Sequence, residues 1–178
     1  MNLQSDDFEL FGFVRQFAQD RSDIDARWKE LQREAHPDKF AAKGASAQRI
    51  AMQWSVRINE AYQRLKDPLK RAAYLCELNG AAVNAENNTA MPAEFLMQQM
   101  QWRESLEAAA SLADVYEITS ELSDSKRDLL QKCESLLDQA HDYPAAVAQV
   151  RALMFLDRFA SDVEKRLDQL ESQFSRLI

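Results

Sequence analysis

Apolar positions in this 178-residue chain recur every three or four residues, the period of helices that bury one side. Ile24, Trp28, Leu31 and Ala35 form one such stripe, and Ser22 with Asp25 three positions later predicts a capping-box start. A second helix is expected over about Ala47–Leu65, with Ile50, Trp54, Ile58, Ala61 and Leu65 on one face. A third starts at Pro68, a residue suited to a first helical turn, and stops before Gly80. The opening DDFELFGF predicts a one-turn helix ended by Gly12. Three more helices follow, over roughly Pro92–Leu112, Ala113–His141 and from Pro144 onward. Leu129, Cys133, Leu136 and Ala140 mark the buried face of the second. The last carries Leu156, Phe159, Val163, Leu167, Leu170, Phe174 and Leu177 at spacings of three and four, as a helix in a bundle requires.

Composition strengthens this all-α reading. The chain has only three glycines, too few for the positive-φ turns of a β-rich fold. They also lie too far apart to build a phosphate cradle. Two cysteines 57 positions apart and two histidines supply no structural metal ligand set. Cys76 and Cys133 either form a single disulfide or stay as buried thiols, and the thiols suit a reducing cytoplasm. No apolar run approaches the ~18 residues of a membrane span, and the acidic start does not resemble a secretion signal. The expected location is therefore cytoplasmic.

The net charge of −7 argues against nucleic acid as a partner. It is unevenly spread, near +1 over residues 1–78 and −8 over residues 79–178. The change falls at the small, polar stretch NGAAVNAENNTAM. Three units follow from this: residues 1–78, a linker over 79–91, and an antiparallel three-helix bundle over 92–178.

Two places carry candidate chemistry. The first helical stripe ends at Ala35, and His36-Pro37-Asp38 follows. Proline disfavours helix in the residue before it and cannot donate a backbone hydrogen bond, so His36 and Asp38 are presented at the head of a polar loop, Lys39–Ser46. Lys29 and Arg33 stack at i, i+4 opposite the buried stripe, a locally basic face suited to an acidic partner. No pocket or third orienting group accompanies the imidazole and carboxylate, so an acid–base enzyme is a poor fit.

The second place is the Pro92–Leu112 helix, which is apolar on two faces. Phe95, Trp102, Leu106 and Ala109 share one sector at about 100° per residue, while Leu96, Met97, Met100 and Glu104 share the opposite one. A helix of a three-helix bundle has one face to bury. The second face is either an interdomain contact or a docking site, for which methionine is well suited.

DDFELFGF, WKELQREAHPDKF and INEAYQRLKDPLKRAAYL, in that order, resemble a J-domain, the helical hairpin that activates the ATPase of DnaK-type chaperones. No Gly/Phe-rich or cysteine-rich segment follows. With FLMQQMQWRESLEA and ALMFLDRFASDVEKRL the layout is similar to the HscB family, J-type co-chaperones of iron–sulfur cluster assembly. The resemblance implies an L-shaped, non-enzymatic chain without cofactor or metal. It implies that His36, Pro37 and Asp38 promote ATP hydrolysis in an HscA-like chaperone, with Lys29, Arg33 and Arg27 steering the encounter. It also implies that Leu96, Met97, Met100, Glu104 and Phe155 bind an IscU-like cluster scaffold, Phe155 being partly exposed at the edge of its stripe. Two acidic positions of that pattern are Gln101 and Ala108 here, which dilutes its charge. Rival readings are a J-domain co-chaperone that delivers another client and a helical adaptor in which His-Pro-Asp is incidental.

Overall fold

The structure is a computed structural model that describes residues 4–84 and 90–175, with side chains to residue 173. The described residues are helical with connecting turns. The middle of the expected linker, Leu177, and the side chain of Phe174 lie outside what is described.

Helix α1 (Asp7–Phe11) is capped by Asp6 and ends at Gly12, whose φ of 73° closes the turn as expected. Helix α2 (Arg21–Glu34) starts earlier than Ser22 and Asp25 suggested. Asp20 is its cap, accepting from the backbone N–H of Ser22 and Asp23, because a carboxylate there reaches two of the unpaired first-turn donors. Asp25 instead accepts from Arg21 and from the Tyr62 hydroxyl. Ile24 and Leu31 are fully buried, with Ala35 at the stripe's end.

The expected polar loop is in fact a 3-10 helix, Pro37–Lys43, with no fully buried residue. Helix α3 (Ala45–Lys66) buries Ile58, Ala61 and Leu65 against α2. Ile50 departs from the predicted stripe. It is 52% exposed and Ala51 takes the inward place, because α2 has ended and only the short 3-10 segment lies opposite. Asp67 caps helix α4 (Pro68–Leu78), and Gly80 follows with a φ of 79°.

Helix α5 spans Ala93–Ala108, four residues shorter than predicted at its C-terminal end. Ser111 and Asp114 form a reciprocal capping box, so this sequence starts helix α6 (Leu112–Glu134) instead of ending α5. The predicted continuation of α6 to His141 is replaced by a π-helical turn, Ser135–Ala140. Its wider winding moves the inward position by one residue, so Leu137 is buried, Leu136 is half-buried and Ala140 is exposed. Helix α7 (Tyr143–Ser175) returns along α6 and buries Leu156, Phe159, Val163 and Leu170.

The buried apolar residues other than Ala51 form one continuous cluster from Phe8 to Leu170. The N-terminal helices join it through α4, which packs on α7, α6 and the π turn. Arg151 of α7 ties down the chain between the two halves, donating Nε to the Val83 carbonyl at 2.9 Å and Nη1 to that of Ala90 at 3.3 Å. Cys76 and Cys133 are buried free thiols. Burial pushes the first up to about 11 and the second to about 12, so neither ionises readily as a nucleophile.

Candidate docking sites

His36 is extended, with φ −61° and ψ 125°, and its Nδ1 accepts from the Asp38 N–H at 3.3 Å. That bond closes the first turn of the 3-10 helix, and Pro37 supplies its fixed φ. The Asp38 carboxylate lies 3.5 Å from the same imidazole nitrogen. The two side chains remain 57% and 88% exposed. The turn is thus held by local bonds while its polar tips face outward.

Lys29 and Arg33 are exposed on α2 as the periodicity requires. Arg27 is placed differently. Its Nε donates to the Phe11 carbonyl at 3.2 Å, which fastens α1 to α2, and its Nη1 meets Glu30 of the same helix at 3.0 Å. Beside the turn lies a groove of about 500 Å³, whose walls include Phe40, Lys43, Ile50 and Trp54. Sequence reasoning missed it because Ile50 fitted the core stripe equally well.

The two-faced helix resolves cleanly. Phe95, Trp102 and Ala109 are buried, whereas Leu96, Met97 and Met100 are 44%, 69% and 65% exposed. Among the described residues α5 packs on α6 and α7 alone, so no N-terminal helix covers this face. Phe155 corrects the expectation of partial exposure, being only 8% exposed. Its ring stacks on Phe159 at 5.7 Å, meets Phe95 edge-on at 5.7 Å, and lies under the Arg103 guanidinium. An α7 stripe and an α5 stripe converge there, which α7's own pattern could not reveal.

The named residues are nevertheless neighbours. Leu96 and Phe155 line one groove of about 690 Å³, and Glu104 lines another of about 800 Å³ on the opposite flank. Met97 and Met100 form the crest between. Gln101 and Ala108 are both exposed. Across the second groove stand Glu121, Asp124 and Asp128 of α6, a negative wall at spacings of three and four that the sequence reading did not single out. Trp102 closes its floor by donating Nε1 to Glu121 at 2.8 Å.

A solvent-facing His-Pro-Asp turn between two packed helices, beside an exposed basic face, defines the class of J-domain co-chaperones. Residues 91–164 match the family model described as the HSCB C-terminal oligomerisation domain. The chain is 49% identical over 175 residues to the co-chaperone protein HscB homolog of Burkholderia multivorans, covering 97% of this chain and 99% of that one. With the Burkholderia cenocepacia homolog it shares 47% identity over 175 residues, again 97% and 99% of the two chains. The chain belongs to the HscB co-chaperone family. Its structure is similar to that of HscB from Vibrio cholerae, with a TM-score of 0.80 and 36% identity over 93% of this chain and 99% of that one. The human co-chaperone HscB gives 0.86 and 25% identity, covering 93% and 84%.

Proposed function

We propose that this chain holds an IscU-like iron–sulfur cluster scaffold on α5 and brings it to an HscA-like, DnaK-type chaperone at the His-Pro-Asp turn. The observation that carries this reading is the α5 crest, with Leu96, Met97 and Met100 exposed on a face that no other helix covers among the described residues. Isolated exposed apolar residues are ordinary; three adjacent large ones on one helix mark an interaction surface. Glu104 and the acidic wall of α6 suit a scaffold with basic groups near its apolar contact. Residues 1–78 then act as the J-domain, 79–91 as the linker and 92–178 as the scaffold-binding unit.

Under this reading His36, Pro37 and Asp38 promote hydrolysis of ATP held by the chaperone, while Lys29 and Arg33 steer the encounter. Arg27 supports them by keeping α1 on α2. The chain itself turns over no substrate, and its work is done in the cytoplasm. Binding both proteins raises the effective concentration of scaffold at the chaperone. The test is a titration of the full chain with a cluster scaffold, followed by the chaperone's ATPase with and without that scaffold. Saturable scaffold binding and a further rise in ATPase are expected. A chain that stimulates the chaperone without binding any scaffold delivers another client.

A further inference from the structure

The segment between α1 and α2 is gripped from both halves of the molecule. Asp138, in the π turn, accepts from the backbone N–H of Phe17 through Oδ1 at 2.6 Å and from that of Ala18 through Oδ2 at 2.8 Å. From the N-terminal half Arg71 of α4, 6% exposed, donates Nε to the Phe17 carbonyl at 2.7 Å and Nη1 to the Leu65 carbonyl. Its guanidinium also lies 5.0 Å from the Phe17 ring. Bonds to ionised groups are shorter and stronger than neutral ones, and here a carboxylate and a guanidinium flank one residue. Burial lowers the Arg71 pKa, and the negative charges of Asp67 and Asp138 oppose that fall.

The backbone of the π turn is what places the carboxylate. π turns are rare and concentrate at functional positions. This one buries Leu137 and sets Asp138 toward the α1–α2 segment. That segment leads directly into α2 and so to the His-Pro-Asp turn, while the π turn joins the two helices on which α5 rests. The contact therefore links the two halves that carry the docking sites.

We propose that Asp138 is a positioning residue: by holding Phe17 and Ala18 it keeps the His-Pro-Asp turn and the α5 crest at one relative orientation, on which the gain from engaging both partners depends. The inference rests on the two-partner function proposed above. A fixed orientation places the second partner where it is needed, whereas a loose joint spreads it over many orientations.

The test uses the full-length chain with Asp138→Ala and Asp138→Asn, which remove both acceptors or leave one. Amide exchange at Phe17 and Ala18 is expected to accelerate in Asp138→Ala. Scaffold affinity and ATPase stimulation without scaffold are expected to stay within about twofold of the parent chain, because neither docking site is touched. The scaffold-dependent increase in ATPase should fall roughly tenfold, and Asp138→Asn should lie between. Unchanged exchange, or faster exchange with the full increase retained, overturns the proposal. If Asp138→Ala does not fold, the same comparison is read from Asp138→Asn. A parent chain that shows no scaffold-dependent increase removes the two-partner reading itself and this inference with it.

Discussion

The carboxylate of Asp7 is wholly buried and forms a two-point contact with Arg64, 2.5 Å from Nε and 2.9 Å from Nη2. Arg57 Nη1 approaches the same carboxylate to 2.7 Å. The Tyr74 hydroxyl accepts from the Asp7 N–H at 3.1 Å, and Arg64 lies over the Tyr74 ring. A five-residue helix cannot sustain itself, so α1 exists because this carboxylate and Phe8 anchor it to α3 and α4.

Asp7→Asn should therefore be costly despite its small change in shape. Removing one partner of a buried ion pair leaves the other charge uncompensated; with Arg64 partly exposed, a loss of about 2–4 kcal/mol is expected. The denaturant midpoint measures it. A shift equivalent to less than 0.5 kcal/mol, the range of ordinary surface substitutions, would sink this account of α1.

His36→Gln separates docking from folding. The imidazole is exposed and its contacts with Asp38 are long, 3.3 Å to the amide and 3.5 Å to the carboxylate, so stability should change by less than about 0.5 kcal/mol. Stimulation of the chaperone's ATPase should be abolished and scaffold binding spared. Undiminished stimulation would remove the role assigned to the turn.

On α5 the exposed and buried members of the site call for different experiments. Met97→Ala and Met100→Ala should leave the melting temperature unchanged and weaken scaffold binding by about 1–2 kcal/mol each, roughly five- to thirtyfold. Phe155→Ala instead opens a cavity among Phe95, Phe159 and Arg103, with a stability loss of about 3–5 kcal/mol. Calorimetric titration of the two methionine variants is the clean test. Parental affinity in both would exclude the crest as the contact.

Two sets of groups shape the pH dependence of stability. Asp20, Asp25 and Asp114 titrate below the usual carboxylate range, held there chiefly by the Ser22 hydroxyl, Arg21 and the Ala110 amide respectively. Their folded values are depressed, so their contribution is present above about pH 4 and is lost as pH falls through the lowered values. The thiols act in the opposite direction. Their folded values are raised to about 11 and about 12 from 9.0, so stability holds below pH 9.0 and declines as pH rises through the folded values. Thermal melts from pH 3 to 11 should show a plateau between these limits. A thiol reagent at pH 8 should label Cys76 and Cys133 only as fast as the chain unfolds, and rapid labelling of the native protein would contradict their burial.

Local patterns made the element order and much of the core legible. Proline at Pro37 and Pro68, glycine at Gly12 and Gly80, and stripes such as Ile24–Leu31 act over one or two turns, where adjacent residues settle the outcome. The α5 crest was legible for the same reason, because a helix with two apolar sectors shows its surplus in the sequence alone. The exposure of Ile50 and the burial of Phe155 depend on what lies opposite, and periodicity names a face without naming its neighbour.

The sequence by itself determined that this is a helical chain with a His-Pro-Asp break and a second apolar face on α5. These follow from propensity, chain breakers and period, all short-range in their causes. The tertiary structure alone decided that the N-terminal helices leave α5 uncovered, that Phe155 lies at a junction of two stripes, and that α6 winds into a π turn. It also brought Asp138 to Phe17 across 121 positions. Such pairings depend on how packed helices meet in space, and no run of neighbouring residues contains that information.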